Sequence, residues 1–269
     1  MASAFPQFAQ QRSLVLAMAR GSRPPPRGAG SAFLTIRGGL SRFADALAED
    51  SGADIRCSSP VITLQRNAGG FAVAIATGEE LHADGVVVAT TATTAADLLT
   101  GVAPAAARAV RGVRYHDSAV VLLRFEPEAI RRPLDASGYL VAPENRAAVA
   151  ACTFLNAKWP HVDWTGTWMR ATVTTPAELD RTDDELAAAV AAEVVSAVEA
   201  SAPPDEIRIH RWSDSLPVYS PGHRNRMNAA KATLPPRLAL AGAAYQGFGI
   251  PDCIASCEAA AETCFQAQT

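Results

Sequence analysis

The sequence predicts an α/β fold, and three segments carry that prediction. Residues 86–89 form a continuous apolar run, which is typical of a strand buried on both faces of a sheet. Thr182 and Glu185 have the spacing of a capping box, and apolar residues then recur every four positions, which predicts a long helix. Near the C-terminus, an apolar strand runs into the glycine-rich loop 242–249 and then into a helix over 251–265.

The composition is that of a globular protein, with 49% hydrophobic and 19% charged residues. At about 150 residues per domain, the 269 residues allow one large domain or two small ones. The net charge of -3 makes a nucleic-acid partner unexpected, because a polyanion requires a basic surface. No apolar stretch reaches about 18 residues, so we expect no transmembrane segment.

The five cysteines predict free thiols in a reducing compartment, because their number is odd and no CxxC pattern occurs. Cys253 and Cys257 would share one face of a helix. A zinc site needs about four ligands, however, and the sequence offers no second pair nearby. We therefore expect no metal site.

The first 44 residues contain six arginines and no acidic residue. A transit peptide has this composition, but the three prolines at 24–26 would break a targeting helix. A basic lobe beside an anionic ligand is the other interpretation. Composition alone leaves both open.

The remaining elements follow from apolar periodicity and turn residues. In the first part of the chain, helices are predicted over 12–20 and 40–50, and strands over 32–37, 55–57, 61–66, 71–77 and 86–90. Turns at 67–70 and 77–80 connect three of these strands into a β-meander. Later strands are predicted over 119–125, 139–141, 149–154, 168–173, 207–212 and 238–241.

The glycine-rich loop before the last helix could receive a ligand. Its glycines let the backbone approach a flat or phosphorylated group. The helix N-terminus adds N–H groups and about half a positive charge, which suits the negative charge of a reduced flavin ring. The same pattern also occurs in plain tight turns, so the loop alone leaves both interpretations open.

Several motifs resemble those of one known family, and they occur in the same order as in that family. The segment LAGAAYQGFGIPDCIAS resembles the C-terminal flavin motif of the oxygen-dependent protoporphyrinogen/coproporphyrinogen oxidases, which belong to the FAD-dependent amine oxidase superfamily. Six other segments resemble that family in the expected order: TIRGGLSRFADAL, ADGVVVATTA, YHDSAVVLLRF, SGYLVAPE, ACTFLNAKWPH and RWSDSLPVYSPGHRNRM. The resemblance extends over about 14–262 and is weakest over 165–208.

The resemblance implies two domains and an oxidation reaction. Residues 37–107 and 234–269 would be part of an FAD domain with a β-meander, and 108–233 a mixed-sheet substrate domain, to which 1–36 add a helical part. The cofactor would be FAD and the oxidant O₂. The substrate would be coproporphyrinogen III or protoporphyrinogen IX, converted to the porphyrin of haem biosynthesis in three two-electron oxidations that release peroxide. The location would be cytoplasmic, with peripheral membrane attachment as the alternative.

The resemblance also implies which residues meet the FAD: Val61, Trp212, Gly249, Ile250 and Pro251. In the family, the backbone at the position of Val61 meets the adenine, and an indole at Trp212 could pack along the flavin ring. We assign no catalytic acid or base to Tyr219, His223 or Tyr245, because hydride transfer to a flavin needs little from protein acids. Substrate propionates would favour arginines, and the candidates are Arg37, Arg170 and Arg224.

One family feature is missing from the sequence. The family begins with a βαβ unit whose GxGxxG turn binds the FAD pyrophosphate, and this chain contains no such unit. We therefore expect the C-terminal portion of such an enzyme, which is incomplete alone or requires a partner that supplies the N-terminal half. The alternatives are another superfamily member with an amine or polyene substrate, and an inactive fragment.

Overall fold

A computed structural model describes residues 34–131 and 133–265. The predicted helix over 12–20 and most of the arginine-rich N-terminal segment lie outside these residues. The chain divides into two compact units. The first contains the described residues up to Arg114 together with those from Pro217 onward, and the second is Tyr115–Leu216. The assignment of these parts to an FAD domain and a substrate domain stays a prediction.

The first unit begins with a helix and a β-meander, whose third strand is Glu80–Ala83 and not the predicted strand over 86–90. Helix α1 spans Ser41–Ser51, and strands β1 (Val61–Asn67), β2 (Gly70–Ile75) and β3 (Glu80–Ala83) form an antiparallel sheet in that order. Gly70, at a φ of 153°, pairs with Asn67 at the first turn. A Cβ at Gly70 would lie 2.3 Å from the Ala83 carbonyl oxygen, so only glycine fits between the strands.

A short parallel pair of strands is the second element of this unit. Strands β4 (Val86–Val88) and β10 (Leu238–Leu240) pair in parallel, and helix α8 (Ile250–Phe265) contacts both. Three more helices belong to the unit: α2 (Ala92–Leu99), α3 (Pro104–Arg111) and α7 (His223–Ala232).

The prediction that β4 is buried on both faces is wrong for Val87, which is 40% exposed. Parallel strands are normally covered on both faces by helices. Within the part of the chain that the structure describes, β4 pairs only with β10. Its outer side therefore remains accessible.

The second unit is a five-stranded sheet with helices. In sheet order its strands are β6 (Gly138–Leu140), β7 (Ala151–Phe154), β8 (Thr167–Val173), β5 (Tyr115–Phe125) and β9 (Glu206–Pro217). The pairs β6–β7, β7–β8 and β8–β5 are antiparallel. The helical elements are α4 (Leu155–Lys158), α5 (Pro176–Leu179), α6 (Asp183–Val198) and two 3₁₀ turns, Pro127–Ala129 and Pro143–Asn145.

Helix α6 confirms the prediction made from the capping box. The Thr182 hydroxyl accepts a hydrogen bond from the Glu185 backbone N–H, and the Glu185 carboxylate accepts one from the Thr182 N–H. Its apolar side chains at four-residue spacing are fully buried against β5. These side chains are Leu186, Val190, Val194 and Val198. Each buried side chain of this size contributes about 1.5–3 kcal/mol, so this stripe fixes the helix on the sheet.

Two predicted strands are wrong. Residues 34–37, the described part of the strand predicted over 32–37, form an irregular segment and a turn, because Gly38 and Gly39 adopt positive φ. Residues 55–57 lie outside any sheet, because a turn with Ser58 at positive φ follows at once. Strand β3 and helices α2, α3 and α7 were not predicted.

Glu193 ties α6 to the chain before β7. One of its carboxylate oxygens accepts hydrogen bonds from the backbone N–H groups of Ala148, at 2.9 Å, and Val149, at 3.0 Å. Both residues are buried, so no water replaces this acceptor without rearrangement.

Glu193→Ala should lower the free energy of unfolding by about 2 kcal/mol, because it leaves two buried N–H groups without an acceptor. Urea denaturation measures the loss. The control is Glu144→Ala, which changes an exposed residue of the same unit and should cost less than about 0.5 kcal/mol. Equal losses in the two variants would contradict this role of Glu193.

Candidate functional site

The loop 242–249 lies at the carboxyl edge of the parallel strand pair. Because β4 and β10 run in the same direction, the segments that follow them emerge at the same edge. The exposed Thr90 and Thr91 follow β4, and the loop follows β10. Ligands of open α/β sheets bind outside the carboxyl ends of the strands. The topology therefore makes this edge the candidate site.

The loop begins at a glycine that the backbone requires. Gly242 adopts a φ of 112°, which disfavours any side chain, and a Cβ there would meet nothing within 4 Å. Its N–H donates to the hydroxyl of the fully buried Ser256 on α8, at 3.2 Å. The start of the loop is thus fixed to the helix, while open space remains in front of it.

The loop ends where α8 begins, and three of the predicted site residues lie here. The Gly249 carbonyl accepts the Cys253 N–H at 2.9 Å, which closes the first helical turn. Pro251 has no N–H to leave unbonded in that turn. Ile250 is 48% exposed and Phe248 is 41% exposed. An accessible backbone, exposed apolar side chains and a positive helix end fit a flat ring that carries negative charge.

Asp252 faces back onto the loop. A Cβ at Gly247 would lie 2.5 Å from an Asp252 carboxylate oxygen, and one at Gly249 would lie 3.1 Å from it. Gly247 therefore has no room for a side chain while Asp252 is present. In the first turn of α8, the Asp252 carboxylate also interacts favourably with the helix dipole.

The other two predicted contacts belong to other elements of the fold. Val61 begins β1 of the meander and is 39% exposed. Trp212 belongs to the second unit, on β9, and its side chain is 58% exposed, so it is not a core residue. Their contact with a cofactor stays a prediction.

Tyr219 and His223 contact the loop, although no role was predicted for them. The Tyr219 hydroxyl donates to the Ala243 carbonyl oxygen, and His223 Nε2 lies 2.8 Å from the Ala244 carbonyl oxygen. Burial lowers the pKa of His223, and the charge of Arg226 acts in the same direction. A neutral imidazole that donates from Nε2 satisfies this contact.

Lys231 is a further charged group beside a residue of this loop. Its ammonium nitrogen lies 5.9 Å from the centroid of the Tyr245 ring, and burial lowers the pKa of Lys231. The Tyr245 ring is almost fully buried, so it contributes packing beneath the loop.

The second unit has an accessible sheet face opposite α6. The registers align Gly138, Thr153, Arg170 and Leu122 in one row across β6, β7, β8 and β5. Arg170 is exposed at the centre of this row. Arg124, two residues along β5, is paired with Asp205 and Glu126 and is therefore neutralised. Arg37 and Arg224 are also exposed, in the first unit.

The cysteines offer little chemistry. All five are free, and the thiol of Cys152 is buried beside the helix-covered face of the sheet, which raises its pKa to about 12. Such a thiol stays protonated and is not a nucleophile.

Within residues 34–131 and 133–265, no three His, Cys, Asp or Glu side chains are grouped so that they could hold a metal ion. No helix in those ranges has the length and apolar character needed to cross a bilayer.

Comparison with known proteins supports the motif resemblance. The chain is 28% identical to a coproporphyrinogen III oxidase of Bacillus subtilis, over 94% of this chain and 57% of that protein. It is 31% identical to a coproporphyrinogen III oxidase of Mycobacterium leprae, over 88% of this chain and 52% of that protein. The chain thus spans about half the length of the curated relatives it matches.

Solved structures share the fold. A crystal structure from Exiguobacterium sp. 255-15, provisionally named a protoporphyrinogen oxidase, superposes with a TM-score of 0.80 at 26% identity, covering 91% of this chain and 54% of that one. Putrescine oxidase with bound putrescine gives a TM-score of 0.67 at 15% identity, over 84% and 52% of the two chains. Residues 8–264 match the sequence pattern of the flavin containing amine oxidoreductases. Since this match covers most of the chain, the protein belongs to the flavin containing amine oxidoreductase family.

Proposed function

We propose that this chain is the C-terminal portion of an FAD- and O₂-dependent oxidase that converts a porphyrinogen to the porphyrin in haem biosynthesis. The substrate is coproporphyrinogen III or protoporphyrinogen IX, and the reaction takes place in the cytoplasm. The observation that carries the proposal is the glycine loop between β10 and α8, at the carboxyl edge of a parallel pair, in a chain whose relatives are named coproporphyrinogen III oxidases.

The residues at the start of α8 would hold the flavin ring. Gly249 lets the ring approach the backbone, and the helix N-terminus at Ile250 and Pro251 stabilises negative charge by about 0.3–1 kcal/mol. The exposed side chains of Ile250 and Phe248 would exclude water from one side of the ring. Val61 would meet the adenine and Trp212 the ring. When bound, FAD would accept electrons from the substrate and pass them to O₂.

The accessible sheet face of the second unit would bind the substrate. Porphyrinogens are apolar tetrapyrroles that carry propionate groups. The face offers the partly buried Leu122 and the 85% exposed Leu140 for the apolar rings, and Arg170 as a partner for a carboxylate. A central cation is unfavourable for a cationic amine, so this face favours the porphyrinogen over the amine alternative.

We further propose that a strand-bearing polypeptide outside these residues completes the parallel sheet, as an N-terminal half or as a partner chain. Val87 is 40% exposed in a strand of the type that is normally covered. Helix α1 has no buried residue, and its Leu47 is 54% exposed. The βαβ unit with a GxGxxG turn would supply these contacts and the missing pyrophosphate site.

The first test is the visible absorption spectrum of the purified chain with and without added FAD. A bound oxidised-flavin band is expected if the loop and α8 suffice for binding.

Gly242→Ala should weaken the affinity of the chain for FAD about tenfold, because it strains the loop by roughly 1–2 kcal/mol. Gly78→Ala is the matched control, because Gly78 also has positive φ and open space around it but lies in the meander. Equal affinities of both variants would contradict the assigned site.

The second test addresses the substrate face. Arg170→Gln should weaken the binding of coproporphyrin III, the stable oxidised tetrapyrrole, about tenfold, because a charge-assisted hydrogen bond is lost. The quenching of porphyrin fluorescence measures the affinity. Arg170 is exposed, so the melting temperature should not change. The control Arg66→Gln removes an exposed arginine of the meander, and an equal loss there would mean that the porphyrin binds by net charge alone.

The third test addresses completion of the sheet. The chain is co-expressed with the N-terminal half of the Bacillus subtilis relative, which is expected to co-purify with it and to increase the flavin absorbance per chain. Val87→Lys should abolish co-purification, because it places a charge on the accessible side of β4. The control Val162→Lys changes an equally exposed valine of the second unit. Co-purification that survives Val87→Lys would overturn the proposed contact.

A further inference from the structure

We infer that Tyr219 and His223 are positioning residues that fix the geometry of the cofactor loop 242–249. The inference rests on the proposed function, because the geometry of the loop affects cofactor binding only if the loop contacts the flavin. Neither residue needs to touch the cofactor. Each acts through the backbone of the loop.

The two side chains bind consecutive carbonyl groups. The Tyr219 hydroxyl donates to the Ala243 carbonyl oxygen, and His223 Nε2 lies 2.8 Å from the Ala244 carbonyl oxygen. In a trans peptide, the N–H points away from the carbonyl of the same unit. Holding the Ala243 carbonyl on Tyr219 therefore directs the Ala244 N–H to the opposite side. The two hydrogen bonds set the orientation of two adjacent peptide planes.

The rings themselves are fixed. Tyr219 and His223 are each 7% exposed, and their centroids are 4.7 Å apart. The Phe248 ring also stacks on Tyr219, at 6.0 Å between centroids and an angle of 30°. Tyr219 thus contacts the loop twice, through its hydroxyl near the beginning and through its ring near the end.

The loop is also held by contacts within itself and to α8. Gly242 is bonded to Ser256, and Gly249 is bonded to Cys253 through the first turn of α8. Between these points the Tyr245 N–H is bonded to the Gly242 carbonyl oxygen, and the Tyr245 side chain is buried. The contacts to Ala243 and Ala244 come from a segment about 21–24 residues earlier in the chain. They supply the tertiary restraint that the loop cannot supply locally.

His223 is placed by its own helix. It is the first residue of α7, after Gly222, which adopts a left-handed φ of 76°. Arg226, in the next turn, is bonded to the Pro221 carbonyl oxygen and the Ser220 hydroxyl, which closes the segment between Tyr219 and His223. The two rings are therefore held by the start of α7 as one unit.

The experiment compares Tyr219→Phe, His223→Leu and His223→Gln in the purified chain. Hydrogen–deuterium exchange of peptides covering 242–249, recorded without FAD, is the primary readout. Tyr219→Phe and His223→Leu should increase the exchange of these peptides about tenfold, while peptides from β5 and β8 stay unchanged. His223→Gln keeps an N–H donor near the position of Nε2, so it should restore most of the protection.

The matched control is Tyr139→Phe, which removes a buried phenol hydroxyl beside Cys152 in the second unit, whereas the loop belongs to the first unit. Loop exchange that is unchanged in Tyr219→Phe, or that rises equally in Tyr139→Phe, would overturn the inference. Failure of His223→Gln to restore protection would do the same.

The affinity for FAD, measured by flavin fluorescence quenching, separates this inference from the proposed function. If the parent chain binds FAD, Tyr219→Phe and His223→Leu should weaken binding about tenfold, and unchanged affinity would overturn the inference. If the parent chain binds no FAD, with or without the N-terminal half, the proposed function fails, whereas the exchange data still decide whether the pair fixes the loop.

Discussion

The parallel pairing of β4 with β10 is the constraint on which the candidate site depends. Only three residues of each strand pair, but β10 is fully buried, and the Ala241 N–H extends the pairing to the Val88 carbonyl oxygen. Because the strands are parallel, their carboxyl ends coincide. The loop and the N-terminus of α8 then reach the same edge as the threonines after β4. An antiparallel pair would place those segments at opposite edges, and no site could be assembled from them.

The second unit obeys a different constraint, the alternation of side chains along antiparallel strands. One face of its sheet is covered by α6, whose stripe of Leu186, Val190, Val194 and Val198 is inaccessible to solvent. The other face then receives every second residue, and there Arg170 and Leu122 lie side by side in neighbouring strands. Because one face is buried, only the side chains of the other face are available to a ligand. Under the proposed function, the first unit would bind its cofactor through backbone and a helix end, whereas the second unit would bind its substrate through side chains.

The sequence predicted the elements that have a strong local signal. The capping box and four-residue spacing of α6, the turns of the meander, and the glycine loop before α8 all depend on residues within a few positions of each other. Helices α2 and α3 have only eight residues each, which is shorter than the window of about 11–18 residues over which apolar periodicity is recognised, so periodicity did not reveal them. The exposure of Val87 depends on which strands flank β4, and the role of His223 depends on a carbonyl 21 residues away. Neither relation can be read from the local spacing of residue types along the sequence.

The contact between Gly247 and Asp252 has a consequence for sequence variation. A methyl group at position 247 would lie 2.6 Å from the Asp252 carboxyl carbon and 2.8 Å from its Cβ, so a rotation of the carboxylate alone does not relieve the overlap. The two positions are therefore epistatic: because the overlap includes the Asp252 Cβ, alanine at 247 avoids it completely only if position 252 is glycine. The order of such substitutions in a lineage is constrained, because the loop glycine cannot change first without a loss of stability.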